Sequence, residues 1–362
     1  MTFRPAGPRV RGRHRKLGHS RGATFSGWIT REEFMNASFA RTLICLFTIA
    51  GSVVVFPLES ARAQGIFRTE VYPVQTVTLG TADFLLGKKD GKPAMIAGEL
   101  RIPKPGTDRL PAVVLVHGSG GIGFNSGMWV DELNNAGFAT FVADSFTGRG
   151  IANTIADQAQ LSSYTMMNDA FAALAVLARH PRIDPDKIAV MGFSKGAIPS
   201  LYASMNRFQS AYAPEGASFA AYIGFYTPCN TEMIGDEKVS EKPIRLYHGI
   251  ADDWVPIGPC RDYVARLKKA GANVELIEYP GAYHAFDNPK IPGTVQLPQA
   301  QTWRKCRFEE KPQGVIINSD TGQPASFNDS CIERGVTVAY NADATNAARK
   351  DVVEFLGKVF SK

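Results

Sequence analysis

The stretch KIAVMGFSKGAIPSLY, residues 187–202, decides how the chain is to be read. Its first half is an apolar run of strand length, and the residues from Gly196 onward suit a helix. Between the two stands Gly192-Phe193-Ser194-Lys195-Gly196, a G-x-S-x-G. Flanking glycines let the backbone turn sharply from strand to helix without a Cβ clash, which would lift a serine hydroxyl above the edge of a sheet. The same spacing also arises by chance in ordinary turns. A strand before it and a helix after it favour a nucleophile over a turn residue.

Outward from this point, strand and helix patterns alternate. AVVLVHG (112–118) is a continuous apolar run ending in glycine, as a buried parallel strand should be. WVDELNNAG (129–137) reads as a short helix and FATFVAD (138–144) as the next strand. TMMNDAFAALAVLARH (165–180) is an amphipathic helix stopped by Pro181. AAYIGFY (220–226), PIRLYHG (243–249) and NVELIEYP (273–280) are further strands. CRDYVARLKKAG (260–271) is a helix between the last two, and ARKDVVEFLGKVF (348–360) closes the chain. Ahead of them VYPVQTVTL (71–79) and AMIAGELRIP (94–103) alternate as strands around a GKKDGK turn. The expectation is an α/β fold, a doubly wound, mostly parallel sheet of about eight strands with helices on both faces. Residues 287–340, rich in Gly, Pro, Asn and Ser, fit neither period and are expected to form an irregular insertion.

Charge is unevenly placed. The net +6 arises in residues 1–63, which hold 10 Lys/Arg and 3 Asp/Glu, leaving 30 and 31 in the rest. The body therefore has no electrostatic case for nucleic acid. Residues 35–63 read as a signal peptide: Arg41, an apolar run from Leu43 to Leu58, and Ala61-Arg62-Ala63 as a cleavage site. Sixteen residues broken by Gly51 and Pro57 fall short of the roughly 20 that span a bilayer, so stable membrane association after cleavage is not expected. Residues 1–34 read as upstream sequence or a disordered extension. Residues 64–362 read as one large α/β domain, expected to be exported to a periplasm or secreted. Cys229, Cys260, Cys306 and Cys331 then remain, an even number without a C-x-x-C pair. Disulfides are the expectation, with three connectivities open and sequence proximity favouring Cys229–Cys260 and Cys306–Cys331; free buried thiols are the alternative.

Ligands of such a sheet bind beyond the carboxyl ends of its strands, and that is where the chemistry gathers. A serine needs a base to take its proton, and the part after residue 63 has four histidines. His180 precedes Pro181 at a helix end, and His117 and His248 each precede a glycine at a strand end. His284, on a loop after the last strand, is the expected base. Asp252 and Asp253 follow the strand before it; Asp252 is preferred as the acid that orients the imidazole, and Asp253 is then expected to be solvated or to cap the following helix. The order Ser194, Asp252, His284 is that of α/β-hydrolases. The HGSGG loop (117–121) would supply one oxyanion N–H at Ser119, and Lys195 the other from its backbone. Asp144 is expected to be structural. Arg149 and the Lys195 side chain would either meet a substrate carboxylate or, as the blander reading, be solvated at the surface.

LPAVVLVHGSGG, ADSFTGRG, AVMGFSKGA, HGIADDWVPIGPC and YPGAYHAFD together resemble the dienelactone hydrolase family of α/β-hydrolases. The resemblance implies a hydrolase acting on carboxylic esters or lactones, with the first aspartate of D-D-W-V-P as the triad acid. That family uses a cysteine nucleophile and an oxyanion-loop glutamate and lacks an export signal. Here Ser194 stands at the nucleophile's place and the loop has no acid, so the resemblance carries fold and triad rather than substrate. The expectation is a serine hydrolase of a small-molecule ester or lactone, without metal or organic cofactor. A peptidase or amidase on the same scaffold, or a non-catalytic secreted binding protein, are the alternatives.

Overall fold

The computed structural model describes residues 67–362. The extension 1–34, the signal peptide 35–63 and its cleavage site lie outside the described residues. Strands β1 (Arg68–Thr78) and β2 (Lys92–Ile102) form an antiparallel hairpin with the short helix α1 (Thr81–Leu85) in its connection. After β3 (Leu110–Val116) the chain alternates: helix α2 (Phe124–Asn135), β4 (Ala139–Asp144), α3 (Ser163–Ala178), β5 (Ile183–Phe193), α4 (Ala197–Tyr202) and α5 (Asn206–Tyr212). Then come β6 (Ala221–Phe225), the two-residue β7 (Thr231–Glu232), β8 (Ile244–Gly249), α6 (Gly258–Lys269) and β9 (Val274–Tyr279).

Eight strands make one sheet in the order β1-β2-β4-β3-β5-β6-β8-β9. From β4 to β9 every pairing is parallel, and β2 joins β4 antiparallel. The doubly wound, mostly parallel sheet read from the sequence is thus the one observed. Strand β3 shows why it is two-faced. Val114 and Val116 pack with Met166 and Leu174 of α3 and Leu201 of α4, while Val113 and Leu115 pack with Trp129 and Leu133 of α2. The closing helix α7 (Ala342–Phe360) adds Val352 and Leu356 to the second cluster. A strand buried on both sides has to be a continuous apolar run, which is what AVVLV is.

Residues 287–340 are not irregular. They hold β10 (Thr294–Thr302), β11 (Phe308–Lys311), β12 (Val315–Asn318) and β13 (Glu333–Ala339). β10 pairs antiparallel with β13, and β12-β11-β7 form a second small sheet. Two of these strands have only four residues and β10 is interrupted by a register shift between Leu297 and Gln301, so no alternation survives long enough to be seen in sequence. Both disulfides favoured by proximity are present, Cys229–Cys260 and Cys306–Cys331, the second within this insertion. Among the described residues no helix is long and apolar enough to cross a membrane.

Candidate active site

Ser194 follows the last residue of β5 and opens a single 3-10 turn (Ser194–Gly196) that runs into α4. Its backbone is left-handed, φ +52°, a conformation that costs a non-glycine residue on the order of 1–3 kcal/mol and gathers at functional turns. The two motif glycines make the turn sterically possible. A Cβ on Gly192 would lie 2.0 Å from the Gly196 carbonyl oxygen, and one on Gly196 would lie 2.3 Å from the carbonyl oxygens of Val116 and His117. Both obstacles are backbone, so neither can swing aside.

Three side chains from three strand ends converge here. The Ser194 hydroxyl lies 2.9 Å from His284 Nε2, and His284 Nδ1 lies 2.8 Å from Asp252 Oδ2. Asp252 follows β8 and is held rigidly: its Oδ1 accepts the backbone N–H of Trp254 (2.9 Å) and of Val255 (2.8 Å). With Asp252 accepting at Nδ1–H, Nε2 is left as the acceptor for the serine proton. His284 is buried between the rings of Tyr226 and Trp254, at centroid distances of 4.6 and 4.7 Å. Tyr226 in turn donates to Asp287 Oδ1 (2.9 Å), whose other oxygen accepts Trp129 Nε1–H (2.8 Å). Burial pushes the Asp287 carboxyl upward against those two hydrogen bonds. Tyr226 and Asp287 therefore fix the face and the loop of His284, roles that sequence patterns do not announce. The one hint was position, since Tyr226 stands just past the carboxyl end of β6.

The remaining histidines are structural. His117 accepts the Ser145 N–H at Nε2 (3.1 Å) and donates from Nδ1 to Gly118 O (2.9 Å). His248 donates from Nε2 to Val255 O (2.7 Å). Burial lowers the pKa of both, keeping the imidazoles neutral. His180 meets Glu70 at 3.2 Å, away from Ser194. Asp144 accepts the Phe146 and Thr147 N–H groups, a structural role as expected.

Three readings of charged residues are corrected. Arg149 is neither solvated nor turned to a substrate: its guanidinium pairs with both oxygens of the buried Asp169 at 2.7 and 2.9 Å. Asp253 is neither solvated nor a helix cap; it accepts the Thr337 N–H and hydroxyl, both at 2.8 Å, and so tethers the acid loop to β13. Lys195 is buried, 5% exposed, and donates to the Gln158 carbonyl and side-chain oxygens, both at 3.0 Å. In each case the partner lies far along the chain or in a loop, where sequence periodicity is silent. Ser119 also meets Gln158, with its hydroxyl 2.9 Å from Gln158 Nε2. Ser119 and Lys195 both line the pocket above Ser194, with Lys195 in the first turn, where helix N–H groups lack intrahelical partners. Gly118 lets the HGSGG loop run close to the nucleophile: a Cβ there would stand 3.1 Å from the Phe193 carbonyl oxygen and 3.4 Å from Ser194 Cβ.

Burial pushes the Lys195 ammonium down to about 7, with the Asp157 charge opposing. The unfolded chain holds that proton up to about pH 10.4, so folding expels it between pH 7 and 10.4 and stability gained by rising pH accrues in that window. Below pH 7 both states are protonated and the desolvation cost stands in full. The melting temperature of Lys195→Met relative to the parent is therefore expected to be more favourable at pH 6 than at pH 9.5, whatever its offset from losing the Gln158 bonds. Thermal melts at the two pH values check this; a gap that does not change with pH contradicts it.

The pocket above Ser194 is small, about 60 Å³. Its outer wall is the 287–340 insertion, which also braces the acid loop. Thr302 donates its hydroxyl to Trp254 O (2.7 Å) and Arg304 Nη1 to Asp253 O (3.0 Å). The insertion thus carries part of the site.

Comparison with known proteins gives the family. Residues 96–310 match the model of the dienelactone hydrolase family. The chain is 24% identical over 197 residues to a probable 2-oxo-3-(5-oxofuran-2-ylidene)propanoate lactonase of Bradyrhizobium sp, covering 50% of this chain and 75% of that protein. It is 23% identical over 167 residues to a putative carboxymethylenebutenolidase of Synechocystis sp., covering 45% and 66%. Among solved structures, a dienelactone hydrolase-like promiscuous phosphotriesterase from metagenomic libraries superposes with a TM-score of 0.51 at 17% identity, covering 80% of this chain and 98% of that one. A putative dienelactone hydrolase of Klebsiella pneumoniae gives 0.50 at 14% identity, covering 80% and 99%. At such identities the superpositions speak for the fold alone.

Proposed function

Because this chain belongs to the dienelactone hydrolase family, we propose that it is an exported serine hydrolase that cleaves a carboxylic ester or lactone of a small molecule. The observation that carries the reading is the hydrogen-bonded run from Ser194 through His284 to Asp252. Ser194 Oγ attacks the carbonyl carbon as His284 Nε2 takes its proton. The negative charge that develops on the carbonyl oxygen is met by the backbone N–H groups of Ser119 and Lys195, a contribution worth about 10²–10³ in rate per donor in comparable sites. His284 then returns the proton to the leaving oxygen, and the acyl group stays on Ser194. Water, deprotonated by the same imidazole, releases the acid. Asp252 holds the imidazole in the required tautomer and balances its positive charge.

Export is supported by the 35–63 leader and by two disulfides, which persist in oxidising compartments. In this reading Ser194 replaces the cysteine that the family namesakes use. A hydroxyl is the weaker nucleophile at neutral pH, so the reaction depends more heavily on the His284–Asp252 pair.

A panel of aryl esters, lactones and peptide anilides on the full chain tests the reading, with Ser194→Ala as control. Esters or lactones are expected to turn over with a rate that Ser194→Ala removes, and anilides to be cleaved at least about 10³-fold more slowly, consistent with a site that offers no further leaving-group activation. Anilide cleavage at a rate comparable to esters overturns it in favour of a peptidase.

A further inference from the structure

A second, larger cavity adjoins the one above Ser194. Its volume is about 680 Å³, within the roughly 300–1,000 Å³ range of small-ligand sites, against about 60 Å³ for the pocket at the nucleophile. Gln158, Lys195, Ile198, Pro228, Asn230 and Trp303 line both, so the two meet at a neck beside the nucleophile. Ile198 stands on α4 one turn beyond Ser194, and Trp303 stands on the insertion across from it. Resting on the function proposed above, we propose that the substrate is an ester carrying a bulky apolar arm, and that this chamber houses the arm.

The chemistry of the walls selects the occupant. Beyond the neck the chamber is bounded by Leu161 and Tyr164 on one side and by Phe308, Ile316 and Phe327 of the insertion on the other. Several of its hydroxyls are already engaged with the protein. Thr165 donates to Leu79 O (2.9 Å), Tyr202 to Thr231 O (3.2 Å), and Thr81 and Ser162 pair with each other at 3.2 Å. At the neck, Lys195 Nζ is bonded twice to Gln158. Trp303 Nε1 is left without a partner at the neck, but the many polar groups of a sugar or peptide would outnumber the donors and acceptors still free, and each unmet group carries a desolvation penalty. A hydrocarbon chain brings none. Phe327 and Val315 also remain 42% and 37% exposed along this cavity, large apolar surfaces that an apolar arm would cover. Short esters would fill only the first pocket.

The test is a series of p-nitrophenyl acetate, hexanoate and decanoate on the full chain and on Ile316→Trp, which fills the chamber well away from Ser194. The expected result is a kcat/KM that rises at least about tenfold from acetate to decanoate, the worth of about two buried methylenes. Ile316→Trp is expected to lower the decanoate value about tenfold and leave acetate within about twofold. Ile316→Ser, smaller and polar, guards against misfolding of the bulky variant and should lower decanoate alone by a few-fold. A kcat/KM that falls along the series, with a ratio unchanged by either variant, overturns the proposal. Calorimetric binding of sodium decanoate against sodium acetate to Ser194→Ala separates it from the function on which it rests. Tighter decanoate binding that Ile316→Trp weakens, with no ester turned over by the parent chain, keeps the chamber and removes the hydrolase reading. Equal binding of the two acids removes the chamber.

Discussion

Asp252→Asn is expected to lower kcat on an activated ester by about 10⁴-fold, with KM and melting temperature close to those of the parent. The size follows from which oxygen does what. Oδ1 of Asp252 accepts the N–H groups of Trp254 and Val255, and an asparagine keeps its carbonyl oxygen there. Its amide nitrogen then faces His284 Nδ1, 2.8 Å away, as a donor where a carboxylate had accepted. The imidazole must present Nδ1 as acceptor and carry its proton on Nε2, the atom that faces Ser194. The serine proton has nowhere to go. Asp253→Asn supplies the contrast: that side chain binds Thr337 on β13, so the loss expected is about tenfold or less, arising from a looser acid loop. Steady-state kinetics on the two variants discriminate the adjacent acids. Equal losses would contradict the assignment of Asp252.

The difference between those two aspartates marks how far a sequence can be read. Strand β5, the glycines around Ser194 and the strand ends that carry Asp252 and His284 all follow from local rules: burial on both faces demands an apolar run, and a sharp turn demands glycine. The fold class was legible for that reason. Asp253 was not, because its partner lies 84 residues away on β13, whose pairing strand β10 is interrupted by a register shift. Arg149 and Lys195 fail in the same way. Long cationic side chains are exposed in most proteins, and only tertiary packing put Asp169 beside one and Gln158 beside the other. Gln158 itself opens a single 3-10 turn (Gln158–Gln160) of ordinary composition, yet it links Ser119 to Lys195, the two residues expected to supply oxyanion donors. The insertion shows the same limit at the scale of an element. Its turn-rich composition concealed four strands, one wall of the pocket and the brace of the acid loop.

Ser194 carries the largest expected effect. Its backbone is held at φ +52° by a turn that tolerates no Cβ on Gly192 or Gly196, and its hydroxyl is within hydrogen-bond reach of a buried, tautomer-fixed imidazole. A fluorophosphonate reacts with a serine only when such a base removes its proton, so the reagent reports the activated state and not mere exposure. Incubation of the full chain with a fluorophosphonate, followed by peptide mass mapping, is the most direct measurement of the central claim. One adduct per chain is expected, on Ser194, with labelling lost in Ser194→Ala and slowed at least about 10³-fold in His284→Ala. A native chain that stays unlabelled, or an adduct that persists at the same rate in Ser194→Ala, would contradict it.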